Sequence, residues 1–168
     1  MISTGCAAHI KKLAQLTATE LDKVELKYIT KDLNHLLRQF ASINQRQIIK
    51  DCDEVMVVSF DIVNMFPSIS KTVGLEQCKL HLDQCSDPIF STQCVLDALE
   101  ITLDNNLTEF DGTTYRQIKG TAMGPSNACA YGDVVINKID VEVNEGQNWP
   151  EEYRPLFWTR YRDNVLVL

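Results

Sequence analysis

The run Val55-Met56-Val57-Val58-Ser59-Phe60-Asp61 decides how this chain is organised. Its apolar residues fall on both faces of an extended segment, so it reads as a central strand and not as an edge. Asp51, Asp53 and Glu54 form a polar approach to it, and the carboxylate of Asp61 closes it. A second acid has a similar setting. Asp163, in Tyr161-Arg162-Asp163-Asn164, lies between the apolar segments Phe157 to Tyr161 and Val165 to Leu168, which read as a hairpin with Arg162, Asp163 and Asn164 at its tip. A carboxylate is costly to bury unless it is paired or holds a cation. Two acids delivered to the ends of apolar strands therefore point to a divalent ion such as Mg2+, which prefers one or two carboxylates plus phosphate oxygens.

Outward from these strands the pattern is mixed. Residues 9 to 26 carry Ile10, Leu13, Leu16, Leu21 and Val24 at helical spacing. Thr30 is expected to cap a second helix through Phe40, with Leu33, Leu36, Leu37 and Phe40 on its inner face. Pro67 breaks the first strand; Ser70 is expected to cap a helix to about Gln84, and Ser91 another through Leu103 with Val95, Leu96, Leu99 and Leu103 inward. Leu107 to Phe110 and Thr113 to Ile118 flank Asp111-Gly112, a dipeptide that tolerates the positive φ of a type I′ hairpin turn. The loop Gly120-Thr121-Ala122-Met123-Gly124-Pro125-Ser126 then opens a helix over Asn127 to Val143, and residues 144 to 155 read as a connection. The expectation is one α+β domain over 1–168, an antiparallel sheet backed by helices.

Bulk properties narrow the class. A chain of 168 residues with 45% hydrophobic content can bury a core. No stretch approaches the roughly 20 apolar residues of a membrane span. His9, Lys11 and Lys12 interrupt any signal-peptide core, so an intracellular, soluble chain is expected. The six cysteines form no C-x-x-C pair and read as reduced, buried thiols. A net charge of −7 and a pI near 4.9 run against nucleic-acid affinity, which Lys and Arg normally supply. That objection weakens if the chain is the catalytic core of a larger protein.

Three segments carry a resemblance: Ser59-Phe60-Asp61-Ile62-Val63-Asn64-Met65-Phe66-Pro67-Ser68-Ile69, the loop Gly120 to Ser126, and Phe157-Trp158-Thr159-Arg160-Tyr161-Arg162-Asp163-Asn164. In order and spacing they resemble three successive motifs of reverse transcriptases, with the nearest likeness to Penelope-like retroelements. The resemblance implies a polymerase palm with fingers truncated and thumb absent, and RNA-directed DNA synthesis by two-metal nucleotidyl transfer. Asp61 and Asp163 would be the catalytic acids and, with the Ile62 carbonyl, the ligands of two Mg2+ ions, for which Mn2+ can substitute. Phe66 matches the position that screens the sugar, and Met123 and Gly124 match the loop against the nascent base pair. Asn164 departs from the pattern, where a second aspartate is usual, and Arg162 stands where many relatives carry a small or apolar residue. The implied partners are an RNA template, a DNA primer and deoxynucleoside triphosphates. A chain lacking thumb and fingers is expected to show little polymerase activity of its own.

Each motif also has a plainer reading. A lone Asp61 could cap a turn, Phe66 could be core, and Gly120 and Gly124 could mark a turn and a helix entry. Arg154 and Arg160 read as surface cations that nucleic acid could touch. The alternatives to an active polymerase core are an inactive remnant of the same fold and an acidic scaffold or interaction module.

Overall fold

The computed structural model describes residues 8–45, 54–146, 149–150 and 153–168. Asp51, Asp53, Cys6 and Cys52 lie outside them. The first helix, α1 (Ala8–Leu21), buries Ile10, Ala14, Thr17 and Leu21, a stripe of threes and fours. It ends before the expected position 26 because its hydrogen bonds tighten: the Lys23 and Val24 amides donate to Glu20 and Leu21 carbonyls at 3.2 Å, three residues back.

Asp32, not Thr30, caps α2 (Leu33–Gln45), its Oδ1 accepting from the His35 amide at 2.7 Å. The inner face is correspondingly rotated. Ile43 is buried and Leu36 and Phe40 half-buried, whereas Leu33 and Leu37 are exposed. The strand expected from Val55 begins only at Val58: β1 (Val58–Asp61) alternates apolar and polar residues, and all of them are exposed. After it come a single helical turn, α3 (Met65–Ser68), which accommodates Pro67 in its first turn, and α4 (Lys71–Leu82). Ser70 sits at the N-cap of α4 without a side-chain bond, but Ser91 caps α5 (Thr92–Asp104) as expected, its Oγ accepting from the Cys94 amide at 3.3 Å.

The hairpin β2 (Leu107–Phe110) and β3 (Thr113–Arg116) turns at Asp111 and Gly112 with φ of 49° and 71°, the two positive values a type I′ turn requires. A long helix, α6 (Ala128–Glu145), precedes the final hairpin, β4 (Trp158–Tyr161) and β5 (Asn164–Val167). Among the described residues the fold is thus mixed α+β, with six helices and two small antiparallel sheets. No helix among them is long and apolar enough to cross a membrane.

The chain forms two compact units. The first comprises residues through Leu26 together with Asn64–Ile136. Its core gathers Leu21, Cys78, Leu82, Val95, Leu99, Tyr131 and Val134. Burial pushes the Cys78 thiol up to about 12, which leaves it a small hydrophobe. The other described thiols differ from the expectation, Cys85 being half-buried and Cys94 and Cys129 exposed. Asn127, just ahead of α6, donates from one amide nitrogen to the Thr17 and Thr102 hydroxyls at 3.0 and 2.9 Å, tying α1 and α5 to the end of the glycine loop.

The second unit comprises Lys27–Val63 and Asn137–Leu168. Among the described residues its sheet runs β1-β5-β4, all antiparallel, so there β5 is central and β1 is an edge, contrary to the reading of an all-apolar run. The apolar excess of that run, Val55 to Val57, precedes the paired residues. The flank of β4 is covered by residues 28–30, with the Thr30 amide donating to the Arg160 carbonyl at 2.8 Å and the Arg160 amide to the Tyr28 carbonyl at 2.9 Å. Register assigns Val58, Phe60, Val165, Val167, Trp158 and Arg160 to one face, and Ser59, Asp61, Asn164 and Tyr161 to the other. Trp158 and Arg160 both reach Asp140 of α6 from the first face, and Thr159 meets Thr30 and Gln39 from the second.

Candidate active site at the sheet end

Asp61 is the last residue of β1 and pairs in register with Asn164, the first of β5. One step further the Ile62 amide donates to the Asp163 carbonyl oxygen at 2.7 Å. The ladder thus brings the two acids, remote in sequence, to the same end of two neighbouring strands. Asp61 is exposed and Asp163 half-buried, so neither carboxylate carries the cost of full desolvation.

The turn that presents Asp163 has two residues, because Tyr161 and Asn164 are already paired. Arg162, the first of them, has φ of 58°, while Asp163 is not among the residues with positive φ. A positive value at the first central residue alone belongs to a type II′ turn, where glycine is the usual occupant. An arginine there holds a conformation that its Cβ disfavours. Its guanidinium lies 5.8 Å from the centre of the Tyr161 ring. Asn164 donates through Nδ2 to Asp163 Oδ1 at 2.8 Å, fixing one carboxylate oxygen.

Asp61, Asp163 and the Ile62 carbonyl carry hard oxygens, the donor type that magnesium takes, and the two carboxylates lie at a solvent-accessible sheet end. Among the described residues there is no group of three or more His, Cys, Asp and Glu that could hold a metal ion. An open pair of carboxylates is what Mg2+ uses when water and substrate phosphates complete its shell.

Phe66, Met123 and Gly124 belong to the first unit. Phe66 is half-buried, and its carbonyl accepts from the Thr121 amide at 2.9 Å. That bond fixes the start of the glycine loop. Gly120 has φ of 74°, and a Cβ on it would fall 2.5 Å from the Pro67 Cα and carbonyl oxygen, so only glycine fits against this backbone. Met123 and Gly124, further along the loop, are exposed. A cavity of about 680 Å³ in the same unit is bordered by Lys71, Arg116 and Lys119, although Lys71 is already engaged by Glu100 at 2.9 Å and Asp104 at 2.7 Å.

Sequence reasoning misjudged Arg160. Read as a surface cation, it is wholly buried, its Nε donating to Asp140 Oδ2 at 2.8 Å and its Nη1 to the Arg162 carbonyl at 2.7 Å. The indole nitrogen of Trp158 donates to Asp140 Oδ1 at 3.1 Å. Burial pushes the Asp140 carboxyl above its ordinary value, against the pull of the Arg160 guanidinium. The available signal was strand alternation, which puts Arg160 on the same face as Trp158 and Val165. No protein-family model matches the chain, and no curated protein matches it.

Proposed function

We propose that the chain is the palm core of a reverse transcriptase of the Penelope-like kind, built for RNA-templated DNA synthesis by two-metal nucleotidyl transfer. The observation that carries this reading is the register of Asp61 against Asn164, with Ile62 bonded to Asp163, which delivers two motif acids to one sheet end. Order and spacing of the three motifs support it further. Asp61, Asp163 and the Ile62 carbonyl would hold the ions. Bound there, Mg2+ would lower the pKa of a primer 3′-hydroxyl and neutralise the triphosphate. The protein carboxylates are ligands, not a general acid and base. Asn164 steadies Asp163 by donating a hydrogen bond, which an ionised aspartate cannot do. Phe66 is assigned the sugar-screening role, and Met123 and Gly124 the packing against the new base pair.

Calorimetry with a deoxynucleoside triphosphate tests the reading. Binding is expected in Mg2+ and lost when EDTA removes the ion. Equal binding with and without the metal would contradict it. The net charge of −7 favours a second reading, an acidic interaction module of the same fold, for which no metal-dependent triphosphate binding is expected.

A further inference from the structure

We propose that Arg160, held by Asp140, is a positioning residue that sets the turn carrying Asp163. The inference rests on the metal-site reading above. Arg162 occupies a backbone conformation suited to glycine, and such a turn persists only when its surroundings over-determine it. The restraint is visible. Arg160 Nη1 donates to the Arg162 carbonyl at 2.7 Å, the carbonyl that leads directly into Asp163. Arg160 itself cannot swing, because it is wholly buried, its Nε is bonded to Asp140 Oδ2, and its own amide and carbonyl are bonded to Tyr28 and Thr30. Asp140 is fixed in turn by the Trp158 indole.

The chain of contacts runs from α6 through a buried guanidinium to the peptide preceding a candidate metal ligand. The planar guanidinium holds its donors in a rigid fork, so it bonds a carboxylate and a carbonyl in two fixed directions at once. A lysine keeps the charge and loses that geometry. The arrangement corresponds to the outer-shell partners that orient metal ligands, whose replacement typically lowers metal affinity about 10–100-fold.

The experiment is a Mn2+ titration read by electron paramagnetic resonance, in the presence of a deoxynucleoside triphosphate, at a temperature where circular dichroism shows every variant folded. Arg160→Lys and Asp140→Asn are expected to weaken Mn2+ binding about 10–100-fold. Phe40→Leu perturbs the Phe40–Phe157 ring contact in the same unit, removes no hydrogen bond of Arg160 or Asp140 described above, and is expected to leave the affinity unchanged. If Asp140→Asn does not fold, Arg160→Lys, which keeps a cation opposite Asp140, carries the test. Wild-type affinity in Arg160→Lys, with binding still abolished by Asp163→Asn, overturns the positioning role alone. Equal affinity in the wild type and Asp163→Asn overturns the metal reading, and the positioning role with it. A fall in Phe40→Leu equal to that in Arg160→Lys reduces the effect to general destabilisation and also overturns the role.

Discussion

Asp163→Asn and Asp61→Asn are each expected to lower the magnesium-dependent affinity for a deoxynucleoside triphosphate by more than about 100-fold, since loss of a direct ligand exceeds the loss from an outer-shell partner. The substitution conserves volume and removes the charge on which a hard cation depends. Stability should hardly change. Asp61 is exposed and Asp163 half-buried, and substitutions at such positions usually stay within about 0.5 kcal/mol. The effect is therefore separable from unfolding: calorimetry reports the lost affinity, and urea denaturation reports an unchanged midpoint. Retention of affinity in both variants would mean that the acids share a sheet end without sharing a cation.

The second large effect concerns Arg160→Ala, expected to cost about 3–5 kcal/mol in urea unfolding because it leaves Asp140 charged, buried and without its cation. The deficit relative to wild type should shrink in acid. In the variant the folded-state pKa of Asp140 lies above its unfolded value, so the destabilisation is present where the carboxyl is ionised and disappears as pH falls towards that unfolded value. Removing both charges together, as Arg160→Met with Asp140→Leu, is expected to cost much less than Arg160→Ala alone, because apolar residues of similar volume can replace a buried pair. A double variant as unstable as the single one would show that the packing of Arg160, not its charge, governs stability.

Local chemistry was readable where it acts within a few residues. Asp111-Gly112 announces its turn because both residues tolerate positive φ, and Ser91 announces its helix because its hydroxyl reaches an amide three residues on. The acids stand out in the sequence for a different reason, since each closes or interrupts an apolar run, and what the fold adds is that strand pairing sets them at one sheet end. Long-range partners were not readable. The apolar run at Val55 shows what avoids water but not which strand lies beside it, so it suggests a central β1, whereas among the described residues β5 holds that place and Met56 and Val57 are 77% and 66% exposed. Thr30 has the chemistry of a cap, yet its hydroxyl is engaged by Gln39 and Thr159, and Asp32 takes the cap. A charged residue such as Arg160 reads as solvated until its partner is known. Asp140 lies on a separate helix, and only the folded chain joins them.

The central claim is that Asp61 and Asp163 act on one pair of cations. Counting Mn2+ ions bound per chain by electron paramagnetic resonance, with a saturating deoxynucleoside triphosphate, addresses it most directly. Binding above that of the nucleotide alone is expected in the wild type and is expected to vanish in either Asp61→Asn or Asp163→Asn; full wild-type stoichiometry in both variants would contradict it.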